Sequence, residues 1–92
     1  MKPVRFTARA ESDMRSIIRY YEDIAPGLSA RIVEDVRARI ERLRHFPKSG
    51  RRIAIGDLHQ VLSPRYRFKI AYRVMDDEID IVGIFRLQNR EV

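Results

Sequence analysis

Two stretches of helical periodicity stand back to back, parted only by Ala25, Pro26 and Gly27. In residues 8–24, Met14, Ile17, Ile18 and Tyr21 recur at the i, i+3, i+4, i+7 spacing of an amphipathic helix, and Ala10 and Ile24 extend the stripe. The second stretch begins at Leu28 or Ser29, ends at Arg44 or His45, and carries Ile32, Val33, Val36, Ile40 and Leu43 on one stripe. Glu34 and Glu41 can pair with arginines at helical spacing. So short a break predicts an antiparallel αα-hairpin. Two helices, each apolar on one face, need a further layer to cover them. Thr7 is placed to cap the first helix, and Pro47 in the run FPKSG stops the second.

The remainder reads as β. Residues 4–7 make a short strand, as do residues 58–62, which are followed by a turn near Ser63 and Pro64. Residues 66–74, YRFKIAYRV, predict the longest strand. Tyr66, Phe68, Ile70, Tyr72 and Val74 share one parity, and Arg67, Lys69 and Arg73 share the other. Residues 75–78 are a turn, residues 79–85 the last strand and residues 86–92 a tail. The last strand breaks alternation, because Ile79, Ile81 and Phe85 oppose Val82 and Ile84. It therefore reads as apolar on both faces, with the second face covered by the tail or by a partner. The expected fold is α+β, in the order β-α-α-β-β-β. It is a single domain over residues 1–92 with the α-hairpin on one face of a mostly antiparallel sheet. The opposite face is open and carries Arg67, Lys69 and Arg73.

Charge narrows the function classes. The net charge is +6, and 16 of the 19 basic residues are arginine. Arginine grips carboxylate or phosphate in a bidentate fork but does not give up its proton, so the chain is rich in anion binders and poor in general bases. The absence of cysteine argues against a secreted disulfide scaffold and fits a reducing compartment. No apolar run approaches the roughly 20 residues that span a bilayer, and the N-terminus lacks a signal-peptide core, so a cytoplasmic protein is expected. No phosphate-cradling glycine loop or metal-ligand cluster is present, and Asp76, Asp77 and Glu78 read as a solvated turn, so neither cofactor nor metal is expected.

Four stretches carry a family resemblance. They are the opening strand with Ala10, Asp13, Met14, Ile17, Tyr20 and Tyr21; IERLRHFPKSGR over residues 40–51; YRFKIAYRV; and DEIDIVGIFRLQNRE over residues 77–91. In this order and at this length the chain resembles the ParE branch of the ParE/RelE toxins, the plasmid-stabilisation type of bacterial toxin–antitoxin modules. One departure is that Phe85 and Arg86 stand where ParE chains often continue into a histidine-containing segment. The resemblance implies a cytoplasmic toxin neutralised by a cognate antitoxin through a flexible, often acidic segment. It also implies DNA gyrase as the target, bound rather than chemically altered. The residues expected to dock target or antitoxin are Arg65, Arg67, Lys69 and Arg73 of the sheet face, with Arg86 and Arg90 of the tail.

The alternative within the superfamily is RelE-like cleavage of mRNA on the ribosome. Such cleavage needs a base, an acid and cations around the phosphate. The candidates here are His59, Lys69 and Arg86, while His45 reads as an imidazole at a helix C-terminus. RelE-like nucleases tend to carry a tyrosine or histidine near the C-terminus beside an arginine, and residues 86–92 contain neither. A plain nucleic-acid-binding module is the third reading, but no aromatic residues interleave with the basic parity of residues 66–74.

Overall fold

The computed structural model describes residues 1–53 and 56–86. Strand β1 (Val4–Phe6) leads into α1 (Ala8–Ile24), and α2 (Leu28–His45) follows. Four strands complete the chain: β2 (Arg51–Arg52), β3 (Leu58–Leu62), β4 (Lys69–Val74) and β5 (Ile79–Phe85). The sheet order is β1-β5-β4-β3-β2, with β1 parallel to β5 and every other pair antiparallel. Both helices cover one face, as expected. The short β2 is an addition: Arg51 and Arg52 pair with Gln60 and His59, and two arginines offer no apolar alternation to announce a strand.

Local chemistry sets the helix ends. The Thr7 hydroxyl accepts from the Ala10 N–H at 3.2 Å, capping α1, and donates to the Ile81 carbonyl at 2.9 Å, tying the cap to the sheet. Gly27 turns the chain into α2 at φ 90°, a backbone shape that side-chain-bearing residues rarely adopt. Arg42, Arg44 and His45 populate the last turn of α2, where positive charge suits the helix dipole.

The core lies between the hairpin and the sheet. Ala10 and Ile17 of α1, and Ile32, Val36, Ile40 and Leu43 of α2, meet Val61, Phe68, Ile70, Tyr72, Ile79, Ile81 and Ile84. Each large aliphatic side chain buried here contributes about 1.5–3 kcal/mol. The stripe of α1 is narrower than its periodicity suggests, and Ile18 and Ile24 stay exposed. The helix runs along the free edge of β5, beyond the end of β1, so less of its surface faces the sheet. There the Asp13 carboxylate accepts from the Ile84 N–H at 3.0 Å and blocks the edge.

Two strand readings change. β4 starts at Lys69, so Tyr66 and Arg67 are not strand residues, and the longest strand is β5. Residues 64–66 form a turn, and Arg67 sits at φ 63°, outside any strand conformation. The two-faced last strand is a bulge. Ala71 pairs with Gly83 and Tyr72 with Ile81, which leaves Val82 without a partner on β4. The extra residue flips the parity, so Ile79, Ile81 and Ile84 all face the helices. Their burial requires neither tail nor partner, and residues 87–92 lie outside the described residues.

Candidate functional site

The register defines the open face in three rows. Arg5, Asp80, Arg73 and Leu58 form one row, Gly83, Ala71, Gln60 and Arg51 the next, and Phe85, Lys69 and Leu62 the third. The middle is nearly flat. A Cβ on Gly83 would lie 2.7 Å from the Phe85 ring, which folds back over it. Apart from Arg51 at the outer strand, the cations of this face therefore lie toward its two ends.

At the first end, positive charge is matched. Arg5 bonds Glu78 at 3.1 Å and Asp80 at 3.4 Å, and Arg73 lies opposite Asp80 in register. A hydrogen bond shared with Glu78, helped by Arg5 and Arg73, holds the Asp80 carboxyl below the usual carboxylate range. The same sharing pushes Glu78 up. Arg73 thus sits in the row of Asp80 and feels its charge, although no salt bridge engages it among the described residues.

The other end is built around the turn from β3 to β4, where Arg65 and Arg67 are both exposed. Lys69 stands between Leu62 and Phe85 on the open face. Arg86 follows β5, and its guanidinium lies 4.7 Å above the Tyr20 ring. The hydroxyls of Tyr21 and Tyr20 further favour its charged form. Among the described residues, no salt bridge engages Arg65, Arg67, Lys69 or Arg86. The four lie toward this end of the sheet, with Lys69 on the open face and Arg86 turned against Tyr20 of α1; Arg73 is set apart at the far end of β4, and Arg90 lies outside the described residues.

His59 occupies a different place. It shares the helix-side face with Arg52 and Tyr72, and its ring stacks on Tyr72 at a centroid distance of 5.3 Å. Its Nδ1 lies 3.2 Å from the Asp57 carbonyl. The ring borders a cleft of about 530 Å³ that Lys2, Lys48 and Arg52 also line. Lys69 projects from the opposite face of the sheet, three positions nearer the turn on the facing register, and Arg86 is at that same distant end. His59 is thus separated from both, while His45 is exposed beside Phe46. Tyr72 is buried, and its hydroxyl donates to the Pro47 carbonyl at 2.8 Å and accepts from the Gly50 N–H at 3.0 Å. Burial pushes this phenol up, which suits a structural tie better than a proton donor.

Sequence reasoning overlooked Asp35. This residue of α2 is buried, and its carboxylate accepts from the Arg65 N–H at 3.0 and 3.2 Å and from the Tyr66 N–H at 2.7 Å. Burial alone would raise its pKa. The bonds from Tyr66, Ser63 and Arg65, with the Arg65 charge, outweigh burial and hold it below the usual range. The signal was present, since an acidic residue three positions after Ile32 and beside Val36 interrupts an otherwise apolar stripe.

The model of the family described as the ParE toxin of the type II toxin–antitoxin system, parDE, matches residues 4–91. The chain belongs to the ParE toxin family. A solved structure of the chromosomal ParDE toxin–antitoxin system from P. aeruginosa has the same fold as this ParE-family chain. The TM-score is 0.84 at 23% identity, over 96% of this chain and 98% of that one. No curated protein matches the sequence. Among the described residues, no helix is long and apolar enough to cross a membrane, and no group of three or more metal-ligating side chains occurs.

Proposed function

We propose that this ParE-type toxin acts in the cytoplasm by binding DNA gyrase and blocking its strand-resealing cycle. A cognate antitoxin with an acidic segment would neutralise it. The observation that carries this reading is that Arg65, Arg67, Lys69 and Arg86 lie toward one end of the sheet without a salt bridge among the described residues. Fixed cations of this kind steer and hold an anionic surface, and arginine does so without offering acid–base chemistry. The apolar cleft of about 590 Å³ between α1, α2 and β1, with Arg37 and Arg44 among its lining residues, supports a second contact zone for an antitoxin. Binding there would add stability to a small domain by mass action.

Cells induced to express the chain without its genetic neighbour test the reading. An early DNA-damage response with protein synthesis intact is the expected outcome. Prompt arrest of translation without DNA damage would overturn it in favour of mRNA cleavage. That second reading rests on the placement of His59, whose Nδ1 is engaged by the Asp57 carbonyl, beside Lys48 and Arg52 in one cleft.

A further inference from the structure

We propose that Asp35 is a positioning residue for target docking. It holds the turn from β3 to β4 in the shape that presents Arg65 and Arg67 to a carboxylate-bearing protein surface. The inference rests on the gyrase-binding reading above.

The turn is longer and more heavily braced than chain reversal demands. Two antiparallel strands can be joined by two residues, whereas six separate Leu62 from Lys69 here. Ser63 is fully buried and closes the turn three times over. Its N–H donates to the Phe68 carbonyl at 2.9 Å, its hydroxyl accepts from the Phe68 N–H at 2.9 Å, and its carbonyl accepts from the Arg67 N–H at 3.1 Å. Asp35 then grips the Arg65 and Tyr66 amides from α2, 30 and 31 residues away in sequence.

Placing a carboxylate in a core is costly unless its oxygens are satisfied. Asp35 is satisfied by backbone N–H groups, and no salt bridge occupies it among the described residues. The choice of partner has a consequence. A carboxylate that paired with the Arg65 or Arg67 guanidinium would neutralise it, whereas one that binds amides fixes the backbone and leaves both guanidinium groups open. Arg67 is held at φ 63°, a conformation that a loose loop seldom visits with a long side chain. A mobile turn would have to be ordered at every docking event, and prior ordering removes that cost.

The test is a double-mutant cycle on the purified full chain with DNA gyrase and supercoiled plasmid, reading the toxin concentration that gives half-maximal DNA cleavage. Asp35→Asn should raise that concentration about tenfold while circular dichroism shows the fold retained, and Arg65→Ala/Arg67→Ala should raise it comparably. The triple variant should be no weaker than Arg65→Ala/Arg67→Ala, because Asp35 acts only through those two side chains. Effects that multiply in the triple variant, or an unchanged Asp35→Asn, would overturn the proposal. Where Asp35→Asn does not fold, Ser63→Ala takes its place. It keeps the carboxylate but loosens the turn, and it should shift the response in the same direction; no shift would count against the proposal. A wild-type chain without effect on gyrase would remove the underlying reading and this inference with it. An active wild type with undiminished Arg65→Ala/Arg67→Ala would overturn the inference alone.

Discussion

The two ends of the sheet use carboxylates in opposite ways. At the end of β4 that carries Arg73, Glu78 and Asp80 face arginine side chains, and Arg5 bonds to both. At the other end, Asp35 faces backbone amides, and the neighbouring Arg65 and Arg67 make no salt bridge among the described residues, although the Arg65 charge helps to keep Asp35 ionised. The ends are comparably rich in arginine, yet one holds salt bridges and the other has none among the described residues. Counting cations along a strand does not reveal this difference, because it depends on which groups the acids choose.

The strongest way to break the comparison is to remove the carboxylate that braces the unmatched end. Asp35→Ala strands two amides and should lower the unfolding free energy by about 3 kcal/mol in urea titrations. Arg5→Ala at the matched end should lower the urea midpoint less, since Arg5 is itself solvent-exposed and pairs with Glu78 at the surface, although its other partner, Asp80, is buried. Equal losses from the two changes would erase the distinction.

Cation-exchange chromatography sharpens it next. Arg65→Ala/Arg67→Ala should elute at distinctly lower salt than wild type. Arg5→Ala/Arg73→Ala removes the same formal charge but should shift elution less, because Glu78 and Asp80 already offset those arginines locally. Indistinguishable elution of the two variants would contradict the matched-end description.

Acid unfolding gives the smallest expected effect. The folded-state pKa of Asp35 lies below its ordinary value. Its stabilising contribution is therefore complete above the unfolded carboxylate pKa of about 3.9, and is lost as pH falls through the lower folded value. In Asp35→Asn, unfolding free energy should vary less with pH across that acid window than in wild type. Parallel pH profiles would show that the turn amides do not hold this carboxylate ionised.

Much of the architecture was legible because it is encoded locally. The Thr7 cap, the Ala25-Pro26-Gly27 break and the stop at Pro47 delimit α1 and α2, and turn residues delimit β3 and β5. What escaped has long-range causes. Tyr66 and Phe68 continue the alternation of β4, but Asp35, far away in sequence, captures the Arg65 and Tyr66 amides and bends the chain before Lys69. The parity break at Val82 was visible in the sequence, yet a bulge and a doubly apolar strand look alike until the Ala71–Gly83 and Tyr72–Ile81 pairs are known. Each candidate cation is visible in the sequence, but their division into matched and unmatched groups depends on cross-strand register, which no single segment contains.

On the proposed function, the turn end docks the target and the Arg73 end does not. The most direct measurement compares Arg65→Ala/Arg67→Ala with Arg73→Ala in gyrase-dependent plasmid cleavage by the purified toxin. The double variant should need about ten times more protein for half-maximal cleavage, while Arg73→Ala stays close to wild type. A loss confined to Arg73→Ala, or shared equally by both variants, would contradict it.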